Sequence, residues 1–359
     1  MSERVVLRHA PVVPNECADE GRVRSETRVV SYAHLLRLSD GFGVFEHAEF
    51  TTPRLESGYC LDDVARALIV LVREPEPTAE LEALLGVCLR FVIDAQARDG
   101  SCRNRRGADR SWRDTPGLGD HWGRALWALG SVAARRPELF ETVMPCFVAG
   151  ARRRSRYPRA MAFAALGAAE VLRIEPRDRT ARALLADAVT TIGTPGRGRD
   201  WCWPEPRLHY ANAVLAEALM AAGVAEGRSR VHVDGLAMLS WLVEVETAGQ
   251  HLSVTPVGGW AAGEQRPAFD QQPIEVAALA DACVRAFDDT GNQQWKDAVL
   301  LCEAWFRGAN DASTPLIDLG SGGGCDGLEP AGRNENQGAE STLALISTLQ
   351  HAQRLRMEG

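Results

Sequence analysis

The chain has 359 residues, 45% of them hydrophobic and 25% charged, long for one ordinary domain and rich enough in apolar side chains to fill a large core. Its formal net charge of −8 argues against a nucleic-acid partner, because counterion release needs a concentrated basic face. No run of eighteen apolar residues occurs, so no membrane-spanning segment is expected.

In chain order, the opening residues "MSERVVLRHAPVVPNE" lack a long apolar core, so no secretory leader is expected, and 1–24 reads as an N-terminal extension. Alternating Val/Ile/Thr runs are scarce, whereas Ala/Leu/Arg/Glu stretches with helical spacing abound. The spacing predicts helices over 25–38, 59–73, 78–97, 120–135, 137–153 and 157–174. Further helices are predicted over 178–192, 207–223, 229–247, 272–289, 292–308 and 337–355.

These twelve fall into two kinds. The even-numbered helices are rich in small residues, as in "RALWALGSVAA", "AMAFAALGAAEVL" and "AVLAEALMAAG". The odd-numbered ones carry the amphipathic stripe of helices with one wet side. Short side chains let inner helices pack closely, so the alternation predicts an all-α (α/α)6 toroid, six inner helices wrapped by six outer ones, over 25–359. An open α-solenoid is the rival, but a solenoid repeats a unit of fixed length, and here only the Asp-x-x-x-Arg-Ala-Leu outline at 62–68 and 120–126 recurs. The longer connections (39–58, 98–119, 193–206, 248–271 and 309–336) all precede inner helices, so they should crowd one rim into a funnel.

Polar and aromatic residues gather at or just before each inner-helix start. The first has Glu46, His47, Asp62 and Asp63, the second Trp112, Asp120, His121 and Trp122, the third Tyr157 and Arg159. The fourth brings Trp201, Trp203, Glu205, His209, Tyr210 and Asn212, the fifth Trp260, Asp270, Gln271, Gln272 and Glu275. The sixth adds Asp326, Asn334, Asn336, Gln337 and Glu340. Carboxylates, amides, imidazoles and indoles converging in one cup are the means by which a protein grips a sugar.

Helical spacing pairs Asp62 with Arg66 and Asp120 with Arg124 at i,i+4, leaving Asp63 freer for chemistry. Asp270 and Glu340 read equally as helix caps or as functional acids. Glu275, inside an Ala-rich helix, must be satisfied or functional, since a bare buried carboxylate is costly. No HExxH or other metal-ligand spacing occurs, so no metal and no cofactor are expected. The Gly-rich "GSGGGC" at 320–325 lacks a phosphate-loop form and reads as a turn. Nine scattered cysteines without a CxxC pair suit reduced thiols and a cytoplasmic location, and none has a nucleophile motif around it.

The strings "GYCLDDVARAL", "WCWPEPRLHYANAVLAEAL", "FDQQPIEVAAL" and "CDGLEPAGRNENQGAESTLALI" together resemble a bacterial family described as glycosyltransferase-associated and similar in fold to the six-hairpin glycosidases. The resemblance runs from about Asp40 to Glu340 and implies a carbohydrate-active toroid, while the chain shows no Rossmann-like βα units to hold a nucleotide sugar. The expected activity is a glycoside hydrolase, an inverting one, acting on an oligosaccharide or polysaccharide fragment. Asp63 would be the general acid and Asp270 or Glu275 the base. Asp62, His47, His121, Trp122, Trp203, Glu205, His209, Tyr210, Gln271, Gln272, Asp326, Asn336, Gln337 and Glu340 would hold the sugar. The alternatives are a sugar isomerase or epimerase that shuttles a proton between His121 and His209, and a toroid that binds a glycan or a protein without turnover.

Overall fold

A computed structural model of the protein describes residues 30–196, 198 and 200–358. The expected extension 1–24 and residues 25–29 of the first expected helix lie outside the described residues. Twelve α-helices follow in order: α1 Ala33–Arg37, α2 Leu61–Arg73, α3 Ala79–Ala95, α4 Asp120–Arg135, α5 Phe140–Ala151 and α6 Pro158–Ile174. The second half comprises α7 Arg179–Ile192, α8 Ala213–Ala225, α9 Ser229–Val245, α10 Pro273–Thr290, α11 Gln293–Phe306 and α12 Ala339–Met357.

The even-numbered helices form a closed ring in which α2, α4, α6, α8, α10 and α12 each pack on the next and α12 returns to α2. The odd-numbered helices lie outside: α3, α5, α7, α9 and α11 each pack against the inner helix that precedes them, and α1 packs against α12. This is the (α/α)6 toroid that the alternation of small and amphipathic helices predicts. The small residues permit backbone-to-backbone approach where α4 meets α6. A Cβ added at Gly130 would sit 2.3 Å from the carbonyl oxygen of Gly167, and one at Gly167 would sit 2.2 Å from that of Leu126. Even alanine would force these helices apart.

Helix ends differ from expectation where loops intervene. The start of α8 shifts to Ala213 because Arg207–Leu208 pairs as a ribbon with Trp260–Ala261, and residues 209–212 make the turn between ribbon and helix. A 3-10 turn, Pro137–Leu139, precedes α5. Five such two-stranded ribbons, all short, sit in the connections. All ten strands among the described residues lie in connections that precede inner helices, so this rim is built of loops over a rigid ring. Among the described residues, no helix is long and apolar enough to cross a membrane.

Candidate active site

Charged side chains at the starts of the inner helices pair between helices as well as within them. Arg66 on α2 donates to Asp63 at 2.7 Å and to Glu340 on α12 at 2.6 Å. Arg124 on α4 donates to Asp62 on α2 at 2.6 Å. The expected pairs Asp62–Arg66 and Asp120–Arg124 are therefore replaced, and Asp120 forms no ion pair among the described residues. Asp63, expected to be free of arginine, is the residue that holds Arg66. The reason is geometric: in a tight ring the neighbouring helix start is as near as the next turn, and a buried guanidinium needs several acceptors.

The same stitching continues around the rim. Arg159 on α6 donates to Glu205 at 2.9 Å and to the Asn212 side chain at 3.1 Å, and the Asn212 amide donates to Glu275 at 3.3 Å. Glu275 also accepts the backbone N–H groups of Ala211 and Asn212. Ala211 adopts φ +46°, a left-handed conformation costly for a side chain with a Cβ, so this carboxylate fastens a strained turn. Burial pushes the Glu275 carboxyl up to about 8, helped by Glu246 and opposed by the N–H groups.

Two adjoining cavities open on this rim. The larger, about 390 Å³, is faced by Glu46, His47, Cys60, Asp62, Asp63, Arg66, Arg105, Arg124, Asp326 and Glu340. The smaller, about 220 Å³, is faced by His209, Thr255, Val257 and Glu275. Tyr210 and Gln272 line both, which makes them one cleft. Asp63 is buried at its floor. Burial pushes its carboxyl up to about 7; Arg66 opposes, and Glu340, Asp62 and Glu46 add to the rise. Arg66 divides its donors between Asp63 and Glu340, which limits its pull on Asp63. Asp62 is held below the usual carboxylate range: burial raises it, but Arg124 and Arg66 outweigh that. Asp326 accepts the Gly338 N–H at 2.8 Å and has no arginine on it; burial raises its carboxyl.

Several expected sugar-binding residues lie elsewhere. Trp122 is fully buried and Trp203 nearly so, the latter stacked on Trp241 with centroids 5.9 Å apart, so both are core. Gln271 is fully buried and receives the Trp305 indole N–H at 3.0 Å; Gln337 is buried between Ser321 and Asp318. Both amides hold loops together and face neither cavity. His121 contacts the Cys102 carbonyl at 3.0 Å and lines neither cavity, so it makes no pair with His209 across the cleft. Glu205 is bound to Arg159, and Asn336 accepts the Phe50 N–H. Asp270 is exposed on the loop before α10 and lines neither cavity. Among the residues facing the cleft that the site reading left out are Arg66 and Arg124, whose role as bridges shows only when the helices are placed side by side, and Arg105, which pairs with Glu46.

Cys60, Glu46 and Asp63 bring ligand atoms within 4.8 Å of one another. Glu46 is paired with Arg105 and Asp63 with Arg66, while burial pushes the Cys60 thiol well up. With both carboxylates already held by arginines and burial opposing ionisation of the thiol, the trio is a poor set of ligands for a cation.

No family model matches the chain, and no curated protein matches it. Solved structures do match in fold. A sugar epimerase from a ruminal bacterium superposes with a TM-score of 0.68 at 9% identity, over 90% of this chain and 95% of that one. Cellobiose 2-epimerase from Spirochaeta thermophila gives 0.66 at 12% identity, over 90% and 93%. A cellulase of C. cellulolyticium in complex with cellobiose gives 0.60 at 10% identity, over 89% and 88%. At such identities the likeness shows the fold alone: the chain shares its (α/α)6 toroid with proteins that include both epimerases and a cellulase.

Proposed function

We propose that the protein is a carbohydrate-active enzyme, a glycoside hydrolase whose general acid is Asp63. The observation that carries this reading is geometric: the buried Asp63 carboxyl lines a polar cleft together with Asp326, a carboxylate with no arginine partner among the described residues, and burial raises Asp63 to about 7. Glycosidic cleavage needs one carboxyl to protonate the leaving oxygen and a second carboxylate to activate water or attack carbon. A proton donor must still hold its proton near neutral pH, which burial of Asp63 secures. Asp326 suits the second role better than either residue first expected there. Asp270 does not face the cleft, and Glu275 is committed to the 209–212 turn. Glu340, Asp62 and Gln272 line the same space and would hold sugar hydroxyls, with Tyr210 offering a ring 39% exposed. A panel of defined oligosaccharides, analysed by chromatography with Asp63→Asn and Asp326→Asn variants, tests the proposal: cleavage lost in both variants supports it, and cleavage kept in either overturns that residue's role. NMR of the first-formed anomer tests inversion.

A second reading, a sugar epimerase or isomerase, is favoured by one observation: His47 lines the larger cavity and His209 the adjoining one. These, rather than His121, would move the proton.

A further inference from the structure

Phe50 lies on a ribbon that borders the larger cavity, in a conformation that its own side chain disfavours. It lies in the two-residue connection between the ribbon strands Ala48–Glu49 and Thr52–Pro53, with φ +52°. That left-handed region suits glycine or asparagine at such a turn and is unusual for a bulky aromatic residue. The ring cannot be there to fill a core, because it is 61% exposed. The turn is nevertheless held firmly. The Phe50 N–H donates to the Asn336 side chain at 2.9 Å, and the Gln337 N–H donates to the Phe50 carbonyl at 3.0 Å. The Ala339 N–H donates to the Glu46 carbonyl at 3.0 Å, so the ribbon is fastened to the loop that leads into α12. Both partners of this clamp border the larger cavity, through Glu46 and His47 on one side and Gly338 on the other.

An exposed aromatic ring on a backbone clamped to the rim of a polar cavity has the form of a stacking platform. Sugar rings present flat C–H faces that dock on aromatic faces while their hydroxyls take polar partners. We infer that Phe50 is an outer subsite: it stacks the sugar next to the one held in the polar cavity, so that the preferred ligand is an oligosaccharide of two or more units rather than a monosaccharide. This inference rests on the carbohydrate reading of the cleft. It extends that reading from a residue that no periodicity or motif marks. The binding step is non-covalent and needs no co-reactant.

The variant Phe50→Gly removes the ring at a position whose backbone suits glycine, so it leaves the fold intact; Phe50→Trp keeps a stacking face. The probes are cello-, manno- and malto-oligosaccharides of two to five sugars and the matching p-nitrophenyl monosaccharides, with kinetics for turnover and titration calorimetry for binding. Phe50→Gly should lower kcat/KM or affinity about tenfold on oligosaccharides, through KM rather than kcat, an effect of the size of one aromatic stacking contact. Monosaccharide probes should be unaffected, and Phe50→Trp should stay close to the parent protein. An equal loss on short and long probes, or no loss on either, overturns the platform while leaving the cleft's carbohydrate role standing. A parent protein that neither binds nor turns over any of these sugars overturns both.

Discussion

Arg66 and Glu340 are 274 positions apart in sequence and 2.6 Å apart in space, on α2 and α12, where the ring closes on itself. The same guanidinium reaches Asp63 at 2.7 Å, so one arginine both seals the toroid and sets the charge around the buried acid. The contact that closes the ring would thus also tune the proposed acid.

Glu340→Gln removes a negative neighbour that raises Asp63 and releases Arg66 to serve Asp63 alone. The Asp63 carboxyl should fall below its value of about 7, and the alkaline limb of the pH–rate profile should move to lower pH. A profile of kcat/KM against pH checks this; an unmoved limb would show that Asp63 is not the titrating acid.

Arg66→Met would leave the buried Asp63 carboxyl and the partly exposed Glu340 carboxylate without their shared partner. A loss of about 1–3 kcal/mol in unfolding free energy is expected, typical of leaving a buried polar group unsatisfied. Urea unfolding followed by circular dichroism measures it. A change below about 1 kcal/mol, the range of surface pairs, would mean that Arg66 does not hold the ring closed.

Asp63→Asn should preserve the circular dichroism spectrum and cut kcat by roughly 10²–10⁴, the usual contribution of a positioned proton donor. In the parent enzyme, activity should fall as pH rises through about 7, because the donor loses its proton there. It should fall again at low pH as Asp326, raised above the ordinary range, takes one up. The alkaline limb alone should vanish in the variant.

Stability should decline as pH rises from about 6.5 to 8.5. Burial raises Asp63 to about 7, Glu217 to about 7 and Glu275 to about 8, so the folded chain retains protons that the unfolded chain has already released. By linkage, an acid with a raised folded value stabilises below its unfolded value, and that contribution is lost as pH climbs through the folded value. His34 and His351 are lowered by burial and act in the opposite direction, but both are neutral in either state over most of this window. Thermal melts should give a falling Tm across it, with a shallower slope in Glu217→Gln. A flat or rising Tm would contradict the assignment.

Much of the fold was legible because its causes are local. Alanine-rich stretches such as "AMAFAALGAAEVL" on α6 report close helix contact, and connection length alone reports which rim carries the loops. The site was legible only by region. Asp63, Asp326, Glu340 and Tyr210 face the cleft as their positions at helix starts suggest. Their partners were not, because Arg66 and Arg124 answer to neighbouring helices that no spacing rule within one helix can foresee. Trp122 and Trp203 were misleading for a related reason: an indole beside a helix start can point into the core as well as into the funnel, and here both do. Phe50 carries no periodic signal. Only its backbone angle and its exposure mark it.

The most direct measurement of the central claim is isotope tracing with an oligosaccharide that the protein turns over, run in parallel in H₂¹⁸O and in D₂O. Asp63-assisted hydrolysis should place one ¹⁸O at each newly formed reducing end and no deuterium on any sugar carbon. Deuterium entering a ring carbon of an uncleaved oligosaccharide, with no ¹⁸O-labelled fragment, would contradict it and assign the cleft to epimerisation.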